Sequence, residues 1–249
     1  MLEPWRLLLD GDASGPLNMG ADEALLSTAI RDGTASLRFY TWAGPWLSLG
    51  YAQPLEAAQA KRLRAAGVGW VRRVTGGRAV LHGADLTYSI AAPQDVVPAG
   101  LRASYGVVAE ALLAALQELG VPATCSDSGA AAPGAHVFDC FQEPAADEIC
   151  LGGKKLSGSA QRRVGRAFLQ HGSIRLVADP PDAVRAVAPG RDSLGGTSLA
   201  EQGTPISREV LEGACVRALS QLLGASLESS SLRPEELMRA RARGLEPPR

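Results

Sequence analysis

The sequence predicts a mixed α+β fold rather than a doubly wound parallel sheet. Three observations carry this. Short runs of strand composition alternate with only a few helical stretches, glycine signals join several of those runs as hairpins, and no internal repeat appears.

The elements follow in order. WRLLLDGD (5–12) reads as a first strand ending in a turn. Asn18 is placed to cap a helix through about Arg31, with Ala21, Leu25 and Ile30 on one side. Asp22 and Glu23 then fall early in it, where the helix dipole favours acids. SLRFYTW (36–42) has strand composition, Gly44-Pro45 breaks it, and WLSLGY (46–51) is a second short strand. Pro54 opens a helix to about Ala66, closed by Gly67. GVGWVRRV (67–74) is a strand, and AVLHGADLTYSIAA (79–92) reads as a strand pair around Gly83. Ser104 caps an apolar helix to Leu119, stopped by Gly120. Residues 126–139 are small, polar and irregular, which in a compact domain marks a functional or disordered loop. DEICL (147–151), Gly152-Gly153 and KKLSGSAQRR (154–163) read as a hairpin, followed by the strand AFLQHGSIRLV (167–177). Asp179 starts a short helix and Ser207 a longer one to about Leu223. Residues 233–249 form a terminal helix and tail.

At 249 residues, with no linker-like division, the chain is expected to be one domain spanning 1–249. Its net charge of −1 gives no global signal for nucleic acid or membrane. No apolar run reaches the roughly eighteen residues that a span requires, and the first residues lack the pattern of a secretion signal. The four cysteines (Cys125, Cys140, Cys150, Cys215) form no CxxC pair, and His82, His136 and His171 are scattered. No metal site is expected, and the cysteines read as reduced thiols in the cytoplasm.

Two segments carry candidate chemistry. From Lys61 to His82 there is no acid, while Lys61, Arg62, Arg64, Arg72, Arg73 and Arg78 are basic, and the pair Gly76-Gly77 lets backbone amides approach a ligand. From Gly152 to Ala178 there is again no acid, with six basic residues. Segregated positive charge in a neutral chain favours an anionic partner. Taken singly these features are bland: a glycine pair is usually a turn, strand cations are usually solvated edges, and a buried cysteine is usually a small hydrophobe.

The order of the motifs is more specific. NMGADEALL (18–26), LRFYTWAGPWLSLGYAQP (37–54), RRVTGGRAVLHGADLTYS (72–89), CFQEPAADEI (140–149), GGKKLSGSAQRR (152–163) and LQHGSI (169–174) together resemble the biotin/lipoate protein ligase superfamily, and within it the LipM group of octanoyltransferases. The resemblance spans roughly residues 5–220. It implies a mixed, largely antiparallel sheet flanked by helices, as in the catalytic domain of those ligases.

It also implies a reaction: transfer of an octanoyl group from the phosphopantetheine thioester of acyl carrier protein to a lysine of a lipoyl domain, in lipoate biosynthesis. Acceptors of that kind are glycine cleavage H protein and the 2-oxoacid dehydrogenase E2 component. Cys140 falls at the family's nucleophile position, with Cys150 in reserve. Lys155 matches the lysine of its K-x-x-G-S-A motif, suited to stabilise a thiolate and an oxyanion. Gly76, Gly77, His82, Gly158, Ser159 and Ala160 would shape the acyl pocket, bordered by Arg73 and Arg78. No resident cofactor is implied. The chain departs from the pattern at Asp147, where a tyrosine is common, and at Gly83, where an acid usually follows the histidine; Asp85 is the nearby substitute. Two other readings compete. One is an ATP-dependent lipoate ligase, although those usually carry three glycines where this chain has Gly76-Gly77-Arg78. The other is a non-catalytic module that binds acyl carriers.

Overall fold

A computed structural model describes residues 4–126 and 148–245. Cys140, Asp147 and nearly all of the irregular loop lie outside the described residues.

In chain order the elements are β1 (Trp5–Ala13), α1 (Gly15–Asp32), β2 (Ser36–Trp42), β3 (Trp46–Leu49), α2 (Ala57–Ala65), β4 (Gly69–Arg72), β5 (Val80–His82), β6 (Asp85–Pro93), α3 (Leu101–Glu118), β7 (Thr124–Cys125), β8 (Ile149–Leu151), β9 (Lys154–Lys155), β10 (Ser157–Val164), β11 (Ala167–Arg175), α4 (Pro181–Val187), α5 (Arg208–Leu223), β12 (Leu227–Ser229) and α6 (Pro234–Leu245). The main sheet runs β10-β11-β6-β2-β1-β12. The β10/β11, β11/β6 and β6/β2 pairs are antiparallel, whereas β2/β1 and β1/β12 are parallel. Two three-stranded sheets accompany it, β4-β3-β5 and β7-β8-β9. This is the mixed, largely antiparallel α+β architecture expected.

Strand alternation decides the layering. Successive side chains of a strand point to opposite faces. On one face of the main sheet Leu37 and Phe39 of β2, Leu86, Tyr88 and Ile90 of β6, and Phe168 and Ile174 of β11 form a core with Val108, Leu112 and Leu116 of α3 and Leu211, Cys215 and Leu219 of α5. Each large apolar side chain buried there contributes roughly 1.5–3 kcal/mol. The other face meets α1, through Leu25, Leu26 and Ala29 against Leu8, Ala91 and Leu169. That face also carries a buried polar row: Arg38 of β2, Asp85, Thr87 and Ser89 of β6, and His171 and Ser173 of β11.

Asp22 on α1 is the counterpart of this row. It accepts from Arg38 Nη1 (3.0 Å), Tyr40 Oη (2.9 Å), Ser89 Oγ (2.8 Å) and His171 Nδ1 (3.1 Å). Burial acts to raise its carboxyl, but the bond from His171 and the charge of Arg38 outweigh it and hold the group below the usual range. Asp22 is therefore not an acid of the first helical turn, because α1 begins earlier, at Gly15 after Ser14. Nor is Asn18 a cap: it is buried inside the helix, donating to the Ala13 and Thr41 carbonyls and accepting from Arg38 Nη2. Ser104 is likewise inside α3 rather than at its cap, its hydroxyl bonded to the Gly100 and Leu101 carbonyls. Ser207 does cap α5, accepting from Val210 N.

The expected strand pair around Gly83 is not a hairpin. β5 pairs antiparallel with β3 in the small sheet, while β6 lies between β11 and β2 in the main one. Gly83 is where the chain passes from one sheet to the other. The predicted hairpin at Gly152-Gly153 does form, between β8 and β9, both glycines in the left-handed region. It is shorter than expected, because Ser157 onwards joins the main sheet beside β11.

The terminal helix α6 packs on α1. Glu236 accepts from Arg6 Nη1 (2.7 Å) and Nη2 (2.9 Å) and from Thr28 Oγ1 (2.8 Å), which ties α6 to β1 and α1. Removing one member of a buried ion pair costs about 3–5 kcal/mol. Glu236→Ala should therefore lower the unfolding free energy in urea by about that amount, while Glu235→Ala, on the same turn, should change it by under about 0.5 kcal/mol.

A second prediction concerns acid. Burial would raise the Asp85 carboxyl, but the facing His82, with hydrogen bonds from His82, Ser173 and the Gly83 amide, holds it down at about 2. A carboxyl depressed on folding stabilises the native state fully above its unfolded value of about 4, and that contribution disappears as pH falls through about 2. Wild type should lose stability over this window. Asp85→Asn should be less stable at pH 7 by roughly 2 kcal/mol and lose less on acidification, read by urea unfolding at both ends.

Candidate functional site

A pocket lies where the main sheet meets β4-β3-β5. The main sheet supplies Tyr40, Trp42, Thr87, His171 and the Gly172 and Ser173 positions. β10 supplies Gly158, Ser159 and Ala160. The small sheet and its loop supply Ser48, Val80, His82, Arg73 and Gly77, and α1 supplies Met19. Strand alternation aims Thr87, His171 and Ser173 of the polar row into this space, and the chain's crossing at Gly83 brings β5 over it.

One hydrogen-bonded relay forms a wall. Asp85 Oδ2 lies 2.8 Å from His82 Nδ1, and His82 Nε2 lies 2.7 Å from Ser48 Oγ. Because the carboxylate only accepts, Nδ1 carries the proton, and in the neutral ring Nε2 accepts from the Ser48 hydroxyl. Arg73 Nη1 in turn donates to Ser48 Oγ (2.8 Å) and to the Ser48 carbonyl (2.7 Å). The carboxylate is further fixed by Thr87 Oγ1 (2.9 Å) and Ser173 Oγ (2.5 Å). The His82 ring stacks on Trp42 with centroids 4.0 Å apart, and Trp42 Nε1 donates to Thr87 (2.8 Å).

A second relay holds the glycine loop. Thr75 Oγ1 lies 2.6 Å from His171 Nε2, and His171 Nδ1 faces Asp22. Burial pushes the imidazole down despite Asp22, so the ring is neutral near pH 7, donating to Asp22 and accepting from Thr75. Arg73 Nη2 caps the Gly76 (3.1 Å) and Arg78 (2.9 Å) carbonyls. The loop closes against β3 only because residue 50 is glycine: a Cβ there would lie 1.8 Å from the Gly77 carbonyl oxygen.

Of the residues singled out in the sequence, Arg73, Gly77, His82, Gly158, Ser159 and Ala160 line this pocket. Gly76 and Arg78 are not among its lining residues; their carbonyls accept from Arg73 Nη2. Lys155 is on β9, buried, with Nζ 2.5 Å from Glu148 Oε1. Cys140 lies outside the described residues. Of the other thiols, burial pushes Cys215 up to about 12 and raises Cys150, while Cys125 is exposed. Cys150, the reserve candidate, is buried on β8 directly across from Lys155.

Trp42, Tyr40, Ser48, Thr87, His171, Ser173 and Met19 were not anticipated as lining residues, nor Glu148 as the partner of Lys155. A signal existed for part of this set. In DLTYSIAAP and LQHGSIR polar residues recur at every second position of apolar strands, the mark of a sheet with a polar buried face. Among the described residues no group of three or more His, Cys, Asp or Glu side chains is arranged to hold a metal, and no helix is long and apolar enough to cross a membrane.

The octanoyltransferase LipM of Symbiobacterium thermophilum is 38% identical over 93% of this chain and 91% of its own length. That of Kyrpidia tusciae is 39% identical over 94% and 93%, and that of Moorella thermoacetica 44% identical over 72% and 68%. Among solved structures, a lipoate-protein ligase A bound with ATP superposes with a TM-score of 0.79 at 23% identity, covering 96% of this chain and 94% of that one. A putative lipoate protein ligase of Thermoplasma acidophilum with bound lipoic acid gives 0.77 at the same identity and coverage. At that identity these two speak for the fold alone. The family model for the lipoyl protein ligase A/B catalytic domain matches residues 14–228, and the chain belongs to that family.

Proposed function

We propose that this chain is an octanoyltransferase of protein lipoylation that works through a cysteine thioester. The observation that carries the reading is the near full-length similarity to proteins named octanoyltransferase LipM, together with a pocket built from the motifs those residues form. The relatives favour this over an ATP-dependent ligase.

In the first step the Cys140 thiolate attacks the octanoyl thioester of acyl carrier protein and expels the phosphopantetheine thiolate. In the second, a neutral lysine amine of a lipoyl domain attacks the Cys140 thioester and expels the Cys140 thiolate as the amide forms, its proton passing to water. The thioester supplies the driving force, so no nucleotide is consumed. Lys155 provides a fixed positive charge for the oxyanion of both steps. The pocket between Trp42, His82 and Ala160 takes the acyl chain. Each buried methylene there contributes about 0.8 kcal/mol, which is enough to discriminate chain length by a few carbons. The acid-free stretches around Arg72–Arg78 and Lys154–Arg166 favour acidic carrier proteins.

Two outcomes test this. Intact-mass analysis after mixing with octanoyl-carrier, without ATP, should show an octanoyl adduct on wild type and none on Cys140→Ala. Formation of AMP from ATP with free octanoate, and no adduct from the carrier, would select the ligase reading instead; no adduct and no turnover would select a binding module. Lys155→Met should slow adduct formation by about 10²–10³-fold, the usual cost of losing one oxyanion donor, with little change in carrier affinity by titration.

A further inference from the structure

An ammonium that water does not reach requires a counter-charge. Lys155 is 2% exposed and Glu148 6%, and their charged atoms lie 2.5 Å apart. The hairpin makes this contact. Antiparallel pairing sets Cys150 directly across from Lys155. Residue 148 is two positions before 150, so it falls on the same face as a diagonal neighbour of Lys155. The backbone around the lysine is also locked: Thr197 N donates to the Lys155 carbonyl (2.8 Å) and Leu156 N to the Ile149 carbonyl (2.9 Å).

We propose that Glu148 is a positioning residue of the transfer reaction, one that keeps the Lys155 ammonium charged and aimed while the donor thioester is attacked. The proposal rests on the reading of Lys155 given above. Glu148 acts through Lys155. Among the described residues, titratable groups recorded beside the ammonium are Glu148 and the Cys150 thiol across the hairpin. Burial and Glu148 raise the Cys150 thiol although Lys155 acts to lower it, and the carboxylate that the hairpin sets against the ammonium is that of Glu148. With the carboxylate replaced by an amide, burial acts on the amine with less opposition, and its proton leaves at lower pH.

The test is single-turnover acylation by octanoyl-carrier, followed by intact mass between about pH 6 and 9, for wild type, Glu148→Gln, Glu148→Asp and Lys155→Met. Glu148→Gln should lose rate at the alkaline end first, with that limb moved down by at least about one pH unit, hence about tenfold slower near its midpoint and less affected below it. Glu148→Asp should recover the wild-type limb. The double variant Glu148→Gln/Lys155→Arg should show no alkaline displacement, since a guanidinium stays charged without help. A Glu148→Gln profile that superimposes on wild type, or falls by one factor at every pH, would overturn the proposal while Lys155→Met stays impaired. Wild-type rates for Lys155→Met would instead overturn the reading of Lys155 itself. If Glu148→Gln proves unfolded by circular dichroism, the Glu148→Asp limb and the Lys155→Met rate decide in its place: a limb displaced in Glu148→Asp overturns the proposal.

Discussion

Two buried carboxylates hold this structure together at its functional end. Asp22 and Asp85 both lie on the α1 side of the main sheet, and both stay ionised because every approach to them is a donor. Asp22 gathers Arg38 and Tyr40 from β2, Ser89 from β6 and His171 from β11. Asp85 gathers His82 from β5, Thr87 from its own strand and Ser173 from β11. Unpaired, either charge would cost several kcal/mol in such a place. Paired, Asp22 fixes α1 against β2, β6 and β11, and Asp85 ties β5, β6 and β11 to one another.

The pocket is a consequence of that arrangement. A sheet face lined with leucines would have closed on α1 and left no cavity. Here the polar row diverts the packing, and the small sheet closes over it with His82 stacked on Trp42. The relays then extend outward. Through Ser48 and Arg73 the Asp85 network reaches the glycine loop, and through His171 and Thr75 the Asp22 network reaches it from the other side. The loop's backbone is thus fixed before any ligand arrives, which is how a site avoids spending binding energy on ordering itself.

Much of this was legible in the chain. Period-two patterns located the long strands, and Gly152-Gly153 announced a hairpin. The ordered motifs singled out six of the residues that prove to line the pocket. What failed, failed for a common reason. Asn18, Asp22 and Ser104 were assigned by local chemistry, as caps or helix-end acids, and each is instead a buried member of a long-range network. Local rules describe a residue against its own helix; they cannot report a partner many positions away. Gly83 misled in the same manner, since a glycine between two strands looks alike whether the strands pair or part.

The sequence by itself determined where the long strands lie and which family the chain belongs to, because these depend on spacing and residue type along a single chain. Only the tertiary structure decided that β5 and β6 go to different sheets and that Lys155 is buried on Glu148 rather than exposed on a turn. Those outcomes depend on strand register and on the pairing of buried charges, and both are fixed only when distant segments meet.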